Sequence, residues 1–352
     1  MRPTPPLATT AHRRHHPTTP PLSLSQSLLV TAGEALQAIW SALLAKRAHP
    51  RLWLAVLALH SSFCAPLLAD LRPHWLLHLS ATLAWAYGGG TVTALVAGDR
   101  TRAPLAVLAG NDVMLVWMPV WWLLNHAPGG VAERLRALLT RRPCAALARG
   151  STALLRATLI VGRVDLAVTY LYPGSAAGAL LFGTLAGVGG RLLADAFRHA
   201  SSLPPLPGPH GAAPELSAPG FTTRSAFLAS LAHLLLAYGP LADGKDALLP
   251  SRAASAGIVV GLLVLQSVLS DLLGRPLDAT RPLAEMVHRL TAVPLPPVKG
   301  GGRGRASGAR PANKAWQSDA EEAEQQVAAV VRTPRRAAAA RGGASRRGAA
   351  AT

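Results

Sequence analysis

The sequence is short of acidic residues, of cysteine and of charge in general. Asp and Glu number 17 against 35 Lys and Arg, and only 15% of the 352 residues are charged while half are hydrophobic. An ordinary soluble domain does not have this composition. The two cysteines, Cys64 and Cys144, are too few for a disulfide framework or a cysteine metal cluster.

The sequence also lacks the short motifs of common enzymes. We find no nucleophile elbow, no zinc-type His/Glu spacing and no phosphate-binding loop. His60 and His78 lie in or near apolar segments, where packing is the more common role for histidine. We therefore expect a protein that is not an enzyme and has no metal or obligatory cofactor. The net charge of +18 lies largely outside the apolar segments or along one of them, so nucleic-acid binding is not expected.

Long apolar blocks indicate an all-α membrane protein with several spans. Residues 22–47 read as an amphipathic helix that lies in the membrane interface. Seven spans are predicted after it, at 52–71, 74–97, 112–126, 143–171, 175–197, 223–240 and 251–273. The chain thus divides into a tail with an amphipathic segment (1–50), a seven-helix domain (51–275) and a basic, mostly disordered tail (276–352). Residues 1–21 fit both an organelle transit peptide and a disordered tail.

Two of the predicted spans are interrupted by runs of glycine. One run is Gly88–Gly90 in the second span, and the other lies around Gly187–Gly190 in the fifth. Paired interruptions of this kind are typical of permeation and binding sites, because an unwound helix offers its carbonyl oxygens to ions. We therefore expect both helices to be kinked or locally unwound, although glycines also serve simply to let helices pack closely. The predicted pore-lining residues are Gly88, Gly89, Gly90, Gly187, Gly189 and Gly190.

The fourth predicted span carries arginines at seven-residue intervals. Arg142, Arg149, Arg156 and Arg163 lie along one stripe of a helix, since seven residues make nearly two turns. Facing lipid, they would cost several kcal/mol, so the stripe must face protein, water or a lipid headgroup. One alternative is a packing network with Asp165 or Asp195 as partners. The predicted lipid-binding or gating residues are Arg149, Arg156, Arg163 and Arg191.

The seven spans fit a repeated architecture. Spans one to three and four to six form two three-helix units, each with a glycine run in its middle helix. Because three is an odd number, the second unit is inverted in the membrane, and the seventh helix completes a 3+3+1 arrangement. The 127–142 loop and the C-terminal tail are rich in arginine, which predicts that the loop and the tail both lie on the cytoplasmic side.

Over residues 72–275 the sequence resembles the trimeric intracellular cation channels. The resemblance is carried by the order and spacing of several short motifs rather than by any single one. In the first half these are Arg72–His74, Tyr87–Thr91 and Asn111–Leu115. In the second half they are Tyr172–Ser175, Gly183–Thr184, Gly187–Gly190, Phe221–Ser225 and Leu249–Ala253.

The resemblance implies a homotrimer with one pore inside each subunit, lined by the kinked second and fifth helices. It implies conduction of monovalent cations, chiefly potassium, across the endoplasmic reticulum or another intracellular membrane, where the current balances charge moved during calcium release. In some members, basic residues of the fourth helix hold a phosphoinositide, so anionic lipid is an expected partner. The family often has a lysine directly before its glycine run, where this chain has Ala186. An arginine-rich pore wall would repel cations unless a counter-charge or an anionic lipid compensates it.

Two other functions fit the same features. A secondary transporter also uses inverted repeats and broken helices, and it would show saturable, coupled flux. A non-conducting scaffold would use the basic tail to recruit partners, and deletion of residues 294–352 would then abolish function.

Overall fold

The computed structural model describes residues 23–98, 111–200, 220–240, 242, 246–274, 277–280 and 282. Residues 1–22, most of the predicted 201–220 loop and the tail beyond 282 lie outside them. Regular structure within these residues is helical. The helices are α1 (Leu24–Leu44), α2 (Pro50–Cys64), α3 (Trp75–Ala97), α4 (Asn111–Asn125), α5 (Val131–Leu139), α6 (Arg142–Leu166), α7 (Ala176–Ala200), α8 (Phe221–Tyr238) and α9 (Arg252–Leu273).

Sequence signals at the helix ends account for several of these boundaries. α6 begins at Arg142 with Pro143 in its first turn, where a missing N–H costs nothing. Ser251 caps α9, since its hydroxyl accepts a hydrogen bond from the Ala254 N–H at 3.2 Å. Gly274 ends the same helix in the left-handed conformation that glycine adopts without strain.

One predicted span and one predicted loop are wrong. Residues 52–71 do not form one span, because α2 ends at Cys64, two residues before Pro66, and a separate 3₁₀ turn covers Ala69–Leu71. Residues 127–142 are not a simple loop, because α5 occupies most of them. The 3–4 spacing of Ala132, Leu135 and Leu139 gives this short helix one inward face.

Among the described residues, three helices are long and apolar enough to cross a membrane, namely α1, α7 and α9. α1 was predicted as an interfacial helix, yet it packs against α9. A side chain on Gly33 would collide with the Ala254 backbone, and one on Gly257 would collide with the Gly33 carbonyl. This seam of small residues is the usual way for two apolar helices to pack in a membrane.

The helices form two packed groups, which meet where α3 packs against α7 and α2 packs against α6. Apolar side chains of α6, α7, α8 and α9 make one cluster around Ile160 and Val260. A second cluster gathers α2 and α4, with α3 and α5 packed against it, around Trp117 and Trp121. α3 and α7 run antiparallel, since Asp70, just before α3, bonds Arg198 near the end of α7.

Candidate site at the crossing of α3 and α7

The two predicted glycine runs meet where α3 crosses α7. A Cβ added at Gly89 would collide with the Ala186 carbonyl oxygen, and one at Gly190 would collide with the carbonyl oxygen of Trp85. A Cβ at Gly88 would lie 2.8 Å from the Cα of Gly190. The two backbones are therefore in direct contact, which any residue larger than glycine prevents at these positions.

Neither helix is unwound at its glycines. α3 runs unbroken from Trp75 to Ala97 and α7 from Ala176 to Ala200, so the predicted local unwinding is wrong. Intrahelical hydrogen bonding continues through both runs, and the Thr93 hydroxyl also donates to the carbonyl oxygens of Gly89 (2.9 Å) and Gly90 (3.1 Å). These two carbonyl oxygens accept hydrogen bonds within α3. At Gly88, Gly89, Gly189 and Gly190 the missing side chain allows close approach, as the alternative interpretation held.

The six predicted pore-lining glycines divide among three environments. Gly88, Gly89, Gly189 and Gly190 lie in the crossing. Gly187 faces away from α3, because a Cβ there would lie 2.5 Å from the Ala226 Cβ of α8 and 2.8 Å from Ile160 of α6. Gly90 is buried, yet an added Cβ would meet no atom within 4 Å. Gly90 is the one of the six that borders open space.

Two arginines of the stripe on α6 lie against the end of α9. Arg149 pairs with Asp271 of α9 at 2.8 Å, and its guanidinium carbon lies 5.5 Å from the centroid of the Phe63 ring. Arg149 therefore forms an arginine–aspartate pair, as the packing alternative predicted, but its partner is Asp271 rather than Asp165 or Asp195. Seven residues earlier, Arg142 lies beside Gly274 at the end of α9.

Arg156 joins three helices at the back of the crossing. Its Nε donates to the Gly187 carbonyl oxygen of α7 at 2.9 Å. Its Nη2 donates to the Thr222 carbonyl oxygen at 2.5 Å and to the Ser225 hydroxyl at 3.0 Å, both in the first turns of α8. The guanidinium thus holds α7 and α8 against α6 at the level of the glycine run, which fits its several fixed donors.

The other two predicted arginines are partly buried. Arg163 lies two turns further along α6 than Arg156. Arg191 of α7 has its guanidinium carbon 6.0 Å from the centroid of the Trp85 ring of α3, within the range of a cation–π contact.

A polar cluster that the sequence did not reveal links α6, α8 and α9, in which His233, Tyr238 and Ser255 are buried and Asp165 is partly exposed. One carboxylate oxygen of Asp165 accepts a hydrogen bond from the Tyr238 hydroxyl at 2.7 Å and lies 2.9 Å from His233 Nε2. The other ring nitrogen, Nδ1, lies 2.8 Å from the Ser255 hydroxyl. The Arg252 guanidinium covers the Tyr238 ring at 4.5 Å. Isolated polar residues in apolar spans were the only signal, and it does not say which of them meet.

The histidines predicted to serve in packing do so. His78 Nε2 lies 2.9 Å from the Leu67 carbonyl oxygen, and Trp121 donates to His78 Nδ1 at 3.1 Å. His60 Nδ1 lies 3.1 Å from the Thr152 hydroxyl. Across the described residues, no group of three or more His, Cys, Asp or Glu side chains could hold a metal ion.

The arrangement of helices is similar to that of a known class of channel. A trimeric intracellular cation channel from C. elegans, solved without Ca2+, aligns with a TM-score of 0.51 at 18% identity, covering 71% of this chain and 98% of that one. The same channel with bound Ca2+ aligns with a TM-score of 0.51 at 17% identity, covering 71% and 99%. This chain has the fold of the trimeric intracellular cation channels. The resemblance seen in the sequence motifs is thereby confirmed at the level of the fold.

Comparison of the sequence alone does not detect this similarity. No protein-family model matches the chain, and no curated protein matches it. The channel fold is thus recognised from the positions of the helices and from short motifs such as Tyr87–Thr91, not from overall sequence identity.

Proposed function

We propose that this protein is a cation channel of an intracellular membrane that conducts monovalent cations, chiefly potassium, as a counter-current to calcium release. The channel fold and the three apolar helices support the general role. The ion and the physiological setting are carried over from the family that the motifs resemble. A homotrimer, inverted three-helix repeats, a location in the endoplasmic reticulum and a cytoplasmic C-terminus belong to the same proposal.

The observation that best supports conduction is the open space beside Gly90. This residue lies one position beyond the tight crossing, inside the protein, where a side chain would meet nothing within 4 Å. A path along the α3–α7 pair would pass this point, while the contacts at Gly89 and Gly190 close the crossing itself.

The arginines near this path raise an electrostatic difficulty that the structure partly relieves. Arg149 has the Asp271 carboxylate as its counter-charge at 2.8 Å, so its repulsion of a cation is reduced. Arg156 donates hydrogen bonds to the Gly187 carbonyl oxygen of α7 and to the Ser225 hydroxyl of α8. Binding of a phosphoinositide or another anionic lipid to Arg163 and Arg191 remains part of the proposal.

Reconstitution of the purified chain in planar bilayers tests the proposal. We expect single-channel currents that reverse near the potassium equilibrium potential in a KCl gradient. Saturable flux that requires a second solute would indicate a secondary transporter instead, and absence of both would contradict any transport role.

Two matched leucine substitutions test the position of the path. Gly90→Leu places a side chain in the open space, and we expect it to reduce single-channel conductance. Gly162→Leu is the control, because Gly162 is also helical, also has no atom within 4 Å of an added Cβ, and lies on an exposed face of α6. Equal conductance in the two variants would show that Gly90 does not line the pore.

A further inference from the structure

The short helix α5 has a buried face and, beside it, an exposed stripe that combines aliphatic and basic side chains. Ala132 is buried, and Leu135 and Leu139 pack against the cluster of Trp117 and Trp121. A neighbouring stripe of the helix presents Val131 and Leu138, which are 41% and 44% exposed, with the exposed Arg134 between them. These three residues lie at i, i+3 and i+7, so they form a single stripe.

The charge around this stripe is strongly positive. Residues 131–142 contain four arginines and one acid, Glu133. Glu133 pairs with Arg136 at 3.0 Å, and Arg142 lies beside Gly274. The other two arginines, Arg134 and Arg141, are both exposed. An acidic partner is therefore favoured over a basic one.

The position of α5 in the fold places it at a membrane surface. α9 is long and apolar enough to cross the membrane, so its end at Gly274 lies near one surface. Arg142, the first residue of α6, lies beside Gly274, and α5 ends only three residues before it. The exposed face of α5 is accordingly near the level of lipid headgroups.

We propose that α5 is an interfacial helix that docks on anionic phospholipid, with Val131 and Leu138 inserted at the acyl boundary and Arg134 and Arg141 on the headgroups. A helix that combines exposed aliphatic and basic side chains suits this role, because apolar burial and attraction to anionic lipid both contribute to its binding. An acidic protein segment would account for the arginines but not for the aliphatic side chains that flank Arg134. The site is separate from the arginines of α6 and does not depend on conduction.

The test uses the full-length chain in vesicles and needs no current. Cys144→Ala leaves Cys64, which is buried, so an environment-sensitive fluorophore on Leu138→Cys reports the exposed face of α5. We expect its emission to move to shorter wavelength as phosphatidylserine replaces phosphatidylcholine, and to move back at high salt. Val131→Cys is a second probe of the same stripe, in case one label disturbs the helix.

Charge variants decide whether the arginines are responsible. In Arg134→Gln/Arg141→Gln we expect the phosphatidylserine-dependent shift to be lost, since each arginine near an anionic surface contributes about five-fold and the pair roughly 30-fold to binding. Arg47→Gln/Arg51→Gln is the matched control, because it removes two exposed arginines at the α1–α2 junction. It should keep the shift.

Three results would overturn the proposal. One is an emission independent of lipid composition at both labelled positions. Another is an equal blue shift in pure phosphatidylcholine, which would mean apolar insertion without recognition of charge. The third is a shift that follows the protein-to-lipid ratio rather than the phosphatidylserine content, which would identify a second copy of this chain as the occupant.

Discussion

The crossing of α3 and α7 and the contacts among α6, α8 and α9 hold helices together in opposite ways. At the crossing, side chains are missing and the backbones touch, as at Gly89 and Ala186. Among α6, α8 and α9, polar side chains bridge the helices, as at Asp165 and His233. The first kind of contact fails when an atom is added and the second when one is removed. Four substitutions, two of them with a companion or control variant, test this difference. Their effects are measured as free energies of unfolding or thermal midpoints in one detergent.

Gly89→Ala should have the largest effect. The new methyl group would collide with the Ala186 carbonyl oxygen, which is backbone and cannot rotate away. Overpacking of this kind costs about 3 kcal/mol, well above the gain of about 1 kcal/mol that alanine brings to a helix interior. A variant as stable as the parent would show that the helices do not touch at Gly89.

His233→Leu should come next, at about 2 kcal/mol, because it leaves the Asp165 and Ser255 side chains each short of a partner. Ser255→Ala is the milder companion, expected near 0.6 kcal/mol, since it removes only one interhelical hydrogen bond. If the two variants lose equal stability, the bond between Asp165 and His233 contributes little.

Arg156→Met should cost about 1 kcal/mol. It keeps much of the apolar stem but loses the donors to Gly187 and Ser225. The control is Arg134→Met, at an exposed position, which should change stability by less than about 0.5 kcal/mol. An unaltered midpoint in Arg156→Met would argue against its role in joining α6, α7 and α8.

Gly90→Ala should have the smallest effect, with the opposite sign. No atom lies within 4 Å of the added methyl group, so the gain in helix propensity of up to about 1 kcal/mol is not opposed by a collision. Together with Gly89→Ala, it compares neighbouring residues of one helix. Destabilisation by Gly90→Ala would mean that the open space is absent or is needed for packing.

Much of the helical framework was predictable from the sequence. The spans predicted at 74–97 and 251–273 agree with α3 and α9 to within one residue, because apolar blocks and end signals such as Ser251 act locally. α5 was missed, since nine residues with two arginines and a glutamate do not form an apolar block. The end of α2 at Cys64 was missed because the apolar run continues past Pro66.

The candidate site was predictable only in part. The glycine runs were found as motifs, and their pairing in space follows from the resemblance to a channel family. The sequence did not predict which glycine contacts a neighbouring helix and which borders open space. Adjacent residues of a helix, such as Gly89 and Gly90, face different surroundings. The partner of Arg149 was also out of reach, since Asp271 lies more than 120 residues away in the chain.

The sequence by itself determined the class of this protein. Its apolar blocks, its lack of acidic residues and its two glycine runs specify membrane helices and the places where two of them come close, because composition and periodicity are local properties. Only the tertiary structure decided what each special residue does. Gly89 contacts the backbone of α7, whereas Gly90 borders open space. Arg149 has a counter-charge, whereas Arg134 is exposed. These differences depend on contacts between helices that are distant in the chain, so the sequence alone does not give them.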